Sequence, residues 1–276
     1  MCSLEVLELW NIIKHEAQNV LRKEPVLSKF YQESILNHKK ISGSLSYILS
    51  NKLSTSMISE KKLYNIFNDI YLNNVFIMNS VAKDIKAVLQ RDPVVKNYLT
   101  PLLYLKGFQA LEAYRLSNYL WNMKKYELST YLQSRTSTVF SVDIHPGASI
   151  GSGIMFDHAT GIVIGEGVII ENDVSIFHSV TLGGTGKNSG KNRHPTIRKK
   201  VTIGAGAKIL GNIEVGKGVK VGAGSVVLKN IPPFVTVAGV PAKIIKKVKT
   251  SEKKFFQEEN NNLIRHLEFF QYGEGI

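Results

Sequence analysis

The run Phe156-Asp157-His158-Ala159-Thr160-Gly161 sets an imidazole between a carboxylate and a stretch of small, turn-forming residues. A second carboxylate, Asp143, stands 15 residues earlier, close to one coil of a roughly 18-residue repeat, so the two are expected near the same side of adjacent coils. An imidazole held at one ring nitrogen by a carboxylate offers the other as a base. Such a pair suits removal of a proton from an alcohol as its oxygen attacks an acyl carbon, help worth on the order of 10²–10⁴ in rate. The same residues also fit a plain role in which Asp143 only caps a turn, and spacing alone leaves both readings open. His145, His178 and His194 lie in the same half of the chain, and His158, His178 and His194 would suffice for a three-histidine zinc site, so a zinc-dependent hydratase competes with acyl transfer. His15, His38 and His266 read as surface or packing residues. The single cysteine, Cys2, stands far from these motifs, which argues against a thiol nucleophile and rules out an internal disulfide. A reducing cytoplasm is the expected location.

The elements that must position these residues show a repeat of six. Aliphatic or aromatic residues fall at Ile144, Ile150 and Phe156. After a two-residue shift they resume at Ile164, Ile170, Ile176 and Leu182, and again at Ile197, Ile203, Ile209, Val215, Val221 and Val227. Small or branched residues follow four places on, as at Ala148, Val168, Val174 and Ala207. Of 22 glycines, 18 lie between Gly147 and Gly239. A strict period of this kind marks a solenoid. Three short strands make one triangular coil of about 18 residues, each strand sending one aliphatic side chain inward, and neighbouring coils stabilise one another. A β-sandwich would need longer strands and tolerate looser spacing. The step from Leu182 to Ile197 spans two and a half hexads rather than one, so an insertion must leave the repeat between about Gly184 and Pro195. A loop expelled from a regular scaffold is a place to look for function. Ile231-Pro232-Pro233 ends the regular repeat.

Before residue 140 the pattern is helical. Leu4, Leu7, Ile12, Ile13, Ala17, Val20 and Leu21 form a first stripe that Pro25 ends, and Leu63, Ile66, Phe67, Ile70 and Tyr71 form a second. Pro101 is suited to open a long helix from Leu102 to about Gln133. Six to eight helices are expected. The fold class is therefore α+β: a helical domain over 1–140, a left-handed parallel β-helix over 141–245 and a tail over 246–276.

The net charge of +13 is unevenly spread. Lys187 to Lys254 holds 16 basic residues against Glu214 and Glu252, a surplus of 14, whereas the rest carries 19 basic and 20 acidic. A nucleic acid, a polyanionic small molecule such as coenzyme A, or a solvated lysine-rich face would each account for this. No apolar run long enough to cross a bilayer and no basic-then-apolar leader is visible, so neither a membrane span nor a secretory signal is expected.

Several runs together resemble bacterial serine acetyltransferases: Val142-Asp143-Ile144-His145-Pro146, Asp157-His158-Ala159-Thr160-Gly161, Ser179-Val180-Thr181-Leu182-Gly183-Gly184-Thr185-Gly186-Lys187, Arg193-His194-Pro195 and Val237-Ala238-Gly239-Val240-Pro241-Ala242. Arg91-Asp92-Pro93 and Thr100-Pro101-Leu102-Leu103-Tyr104 extend the likeness into the helical half. The resemblance implies transfer of acetyl from acetyl-CoA to the hydroxyl of L-serine, the first step from serine to cysteine, with no permanently bound cofactor and no metal. It implies that His158 is the base, oriented by Asp143. Asp92 and Asp157 would hold the substrate ammonium, and Arg193 and His194 its carboxylate. Acetyl-CoA would lie along the solenoid between subunits, on backbone near Gly184, Thr185, Ala205 and Ala223, its phosphates near Lys220 and Lys243. Implied partners are further copies of the chain (trimers paired into a hexamer), O-acetylserine sulfhydrylase through the C-terminal Ile276, and L-cysteine as a feedback inhibitor, but neither nucleic acid nor membrane. The chain departs from the pattern in a longer 187–193 loop, in Asn192 for an acidic residue and in Gly147 for alanine.

Overall fold

The computed structural model describes residues 3–185 and 193–247 of the 276-residue chain. The chain divides into two compact units, one ending at Val139 and the next beginning at Phe140.

The first unit is all helical. It holds α1 (Leu4–Lys23), α2 (Ser28–Tyr31), α3 (Ile41–Leu53), α4 (Glu60–Asn73), α5 (Val75–Arg91), α6 (Leu99–Tyr104) and α7 (Lys106–Asn122), with α8 (Tyr126–Phe140) closing it. Its core is made of i, i+3/i+4 stripes such as Leu63, Phe67, Ile70 and Tyr71 on α4. On α1 the buried stripe is Val6, Leu9, Trp10, Ile13 and Ala17, while Leu4, Leu7 and Ile12 stay exposed. Leu7 and Ile12 fall about a quarter-turn off the buried face, which loose apolar spacing does not reveal. Asn74 starts α5 by accepting the Ile77 N–H with its side chain. The long helix expected over 102–133 is instead three. The chain is extended at Leu105, and Lys124 adopts a left-handed φ of 61° after α7. Neither break is at a proline or glycine, so no local punctuation announces it.

The second unit is a parallel β-helix. The first coil is β1 (Val142–Ile144), β2 (Ser149–Ile150) and β3 (Met155–Asp157); the second is β4 (Ile162–Ile164), β5 (Ile169–Ile170) and β6 (Ser175–Phe177). The third is β7 (Thr181–Gly183), β8 (Thr196–Ile197) and β9 (Thr202–Ile203), and the fourth β10 (Lys208–Leu210), β11 (Glu214–Val215) and β12 (Lys220–Val221). Then come β13 (Val226–Val227), an isolated bridge from Ile231 to Val215, β14 (Val235–Ala238), and an antiparallel closing strand β15 (Lys243–Lys247). The strands stack into three faces: A, in the order β1-β4-β7-β10-β13; B, β2-β5-β8-β11; and C, β3-β6-β9-β12-β14-β15. The hexad residues from Ile164 to Val227 are almost wholly buried, while Ile150 in the end coil is half-buried.

Register gives the coil lengths. Val163 pairs with Thr181, a regular coil of three hexads. Val142 pairs with Ile162 and Met155 with Ser175, so the first coil exceeds three hexads by the same two-residue shift that the sequence shows. Ser175 pairs with Thr202, a longer step still, which places the insertion between β7 and β8. Residues 186–192 of that insertion, with Lys187 and Lys191, lie outside the described residues, as does Ile276.

Candidate active site

The corner between faces C and A is a stacked column of turns. Gly161 N–H donates to the Ser141 carbonyl at 2.7 Å, Ser179 N–H to Thr160 at 2.8 Å, Gly206 N–H to His178 at 2.9 Å and Gly224 N–H to Ala205 at 2.7 Å. His158 sits at the first of these corners, and the lengthened first coil puts it there. The added length is taken up in two consecutive tight turns. Ala159 N–H meets the Asp157 carbonyl at 2.5 Å, and Thr160 N–H meets that of His158 at 2.8 Å. Their central residues, His158 and Ala159, have φ of 54° and 61°, a region that L residues avoid. Ala159 is buried and anchors the turn, while the His158 side chain is 76% exposed. Strain of this kind is held by its surroundings and gathers at functional sites.

Around that imidazole, His158 Nε2 lies 4.0 Å from an Asp157 carboxylate oxygen. Asp157 pairs with Phe177, so His178 stands one coil above His158, and the two rings meet edge to face with centroids 5.9 Å apart. Among the described residues, His178 Nδ1 is buried without a hydrogen-bond partner. Sequence reading offers His178 only as a metal ligand. The signal that pairs it with His158 is the two-residue shift, which lengthens this coil to their separation. Asp143 is the middle residue of β1, paired with Val163, with Val142 and Ile144 buried on either side. Alternation therefore turns Asp143 outward on face A. The regular coil assumed from the hexads is corrected by this register: Asp143 lies across from a residue five places beyond His158. Among the described residues, no group of three or more His, Cys, Asp or Glu is gathered to hold a metal ion.

Arg193 and His194 belong to the next corner, between faces A and B. The His194 ring lies on the backbone of the coil below, where Gly167 N–H donates to its Nδ1 at 3.2 Å. Burial, and secondarily the charge of Arg193, lowers the His194 pKa, with Glu166 opposing. Neutral His194 therefore carries its proton on Nε2 and can donate from it. In the same column His145 Nδ1 accepts the Gly147 N–H at 3.0 Å. Gly184 packs against Arg193, and a Cβ there would lie 3.3 Å from the arginine stem. The Thr185 methyl approaches Gly211.

Ala205 and Ala223 stand in the His158 column, one above the other. Lys220 and Lys243 lie on face C, in β12 and β15, with β14 between them. Asp92 is in the helical unit, ending α5, where its side chain accepts the Val94 N–H at 2.9 Å. One chain thus displays two columns flanking face A. One carries His158, Ala205 and Ala223; the other carries Gly184, Thr185, Arg193 and His194.

Residues 9–113 match a family described as serine acetyltransferase, N-terminal, and 194–229 match the bacterial transferase hexapeptide of six repeats. A serine acetyltransferase of Buchnera aphidicola subsp. Schizaphis graminum is 83% identical over 94% of this chain and 99% of its own length. The chain belongs to the serine acetyltransferase family. The Escherichia coli K12 serine acetyltransferase is 52% identical over 99% of this chain and all of its own. A solved serine acetyltransferase in complex with cysteine is 54% identical, covers 87% of this chain and 99% of its own, and superposes with a TM-score of 0.85. Another, in complex with CoA, is 52% identical, covers 87% of this chain and all of its own, and gives 0.83. The family's helical half and its hexapeptide half are thus both present here, in that order.

Proposed function

We propose that this chain transfers the acetyl group of acetyl-CoA to the hydroxyl of L-serine, releasing O-acetyl-L-serine and CoA. The observation that carries the reading is the exposed His158 imidazole on its strained corner, at the foot of a column of small residues, in a family whose solved members bind CoA and cysteine. His158 takes the hydroxyl proton as the serine oxygen bonds to the thioester carbonyl carbon. The C–S bond then breaks, and the proton passes to the departing thiolate. Asp143 orients the imidazole. Asp92 and Asp157 hold the ammonium. Arg193 supplies charge to the carboxylate, and neutral His194 donates to it from Nε2, a division that fits the lowered His194 pKa. Acetyl-CoA runs beside Ala205 and Ala223, with Gly184 and Thr185 contributing backbone donors and Lys220 and Lys243 meeting its phosphates. Bringing both substrates together supplies roughly 7–11 kcal/mol of the barrier reduction.

The two columns support a composite site. A face of about six residues at roughly 3.3 Å each is about 15–20 Å wide, too far for one serine to touch both corners. A second copy must then supply one of them, which accords with trimers that pair into a hexamer. The product is an activated serine for a sulfhydrylase, here O-acetylserine sulfhydrylase engaging Ile276, with L-cysteine as feedback inhibitor. Among the described residues no helix is long and apolar enough to cross a membrane, and a cytoplasmic location is part of the proposal. The test is CoA release from acetyl-CoA with serine, homoserine and a panel of sugars. Release that depends on serine, with at most partial turnover of homoserine, is expected. Release that follows a sugar, or stoichiometric zinc with activity lost to chelator, would overturn the reading.

A further inference from the structure

Nothing in the motif around Arg193-His194 explains why the His194 ring is held where it is. That ring lies over the backbone of Gly165 and Gly167 in the coil below. A Cβ built on Gly165 would come within 2.6 Å of His194 Nε2 and 2.7 Å of its Cδ2. Two places on, Gly167 N–H holds Nδ1. Gly165 does not need to be glycine for its own backbone, because its φ lies outside the left-handed range. Its N–H donates to the Leu182 carbonyl at 3.0 Å and its carbonyl accepts from Val168 at 3.2 Å, and alanine keeps both. The glycine is therefore required by the imidazole and not by the coil.

We infer that Gly165 is a positioning residue for serine binding: its missing side chain is the seat on which the neutral His194 ring lies, with Nδ1 taken by Gly167 and Nε2–H left for the substrate carboxylate. An alanine methyl at 165 would lift the ring, break the Gly167 hydrogen bond that fixes its tautomer, and cover the donating nitrogen. A flexible side chain can yield where backbone cannot, so the coil survives while the ring loses its place. The inference rests on the proposed role of His194 in holding the serine carboxylate.

The test is a cycle of Gly165→Ala, His194→Ala and the double variant, following KM for serine and for acetyl-CoA. Gly165→Ala is expected to raise the serine KM about tenfold or more, the effect of losing a hydrogen bond to a charged group, with the acetyl-CoA KM held. In the His194→Ala background the same change should add less than about twofold, since the clash is gone. The His194 ring nitrogens give a second readout: the Nδ1 resonance in the ¹⁵N spectrum should lose its acceptor shift in Gly165→Ala. If Gly165→Ala alone fails to fold but folds once His194 is alanine, the seat is supported. An equal loss in both backgrounds, unfolding in both, or an unchanged serine KM beside an impaired His194→Ala overturns the inference. An unchanged serine KM in His194→Ala overturns instead the carboxylate role on which it rests.

Discussion

The two units solve the problem of a core in opposite ways. The solenoid buries aliphatic side chains at fixed intervals, and its only buried polar residues among those described are Ser175 and Ser225. The helical unit buries Asp84, Gln109, Glu112 and Arg115 together with several serines. Arg115 grips Asp84 through both Nε, at 3.0 Å, and Nη2, at 2.5 Å, while its Nε stands 3.6 Å from Glu112. One guanidinium cannot neutralise two buried carboxylates, and Asp84 holds it more closely. Burial first, and then the charge of Asp84, push the Glu112 carboxyl well above its ordinary range against the pull of Arg115. The Tyr71 hydroxyl donates to the Glu112 backbone carbonyl and not to its carboxyl. The contrast shows that repetition lets an apolar core do without polar specification, whereas packed helices of unequal length carry a charged knot within theirs.

Substitutions in each unit test that difference. The largest effect is expected at Arg115: Arg115→Ala strands the buried Asp84 carboxylate and should cost about 3–5 kcal/mol in urea unfolding. Next comes the solenoid core, where Ile203→Ala should cost about 2–5 kcal/mol, with the loss set by how far neighbouring coils collapse. Smaller is the pH dependence of the helical unit. Because folded Glu112 binds its proton more tightly than the unfolded chain does, stability should be full below the ordinary carboxylate range. It should then decline as pH rises toward the raised value. Glu112→Gln should flatten that slope in melting curves taken across pH, and an unchanged slope would separate the knot from the titration. Smallest is the surface ladder on the solenoid, where Arg198 bridges Glu171 at 2.8 Å and Glu214 at 2.5 Å. Arg198→Ala should leave the melting temperature nearly unmoved, since exposed pairs contribute little.

Legibility follows the same divide. Hexads foretold the buried positions of the solenoid because one residue in six must point inward whatever its neighbours do. The long step from Leu182 to Ile197 likewise located the insertion. The two-residue shift at Phe156 was visible too, but only the register shows that it builds the His158 turn and stacks His178 against it. In the helical unit the stripe on α4 was readable, whereas the breaks at Leu105 and Lys124 were not, because tertiary packing and not local propensity makes them. Arg115 falls inside the long helix expected from Leu102, but its partner Asp84 is 31 positions away and no pattern marks a charged residue as buried. For the candidate site the sequence offers the residue types, but their division between two corners needs the fold.

We propose His158 as the base for acetyl transfer to serine. The most direct measurement is CoA release by His158→Asn, a residue that tolerates the left-handed backbone of this corner. The expected result is a kcat lower by about 10²–10⁴ with the melting temperature and acetyl-CoA binding retained. Serine-dependent turnover at the rate of the unaltered chain would contradict it.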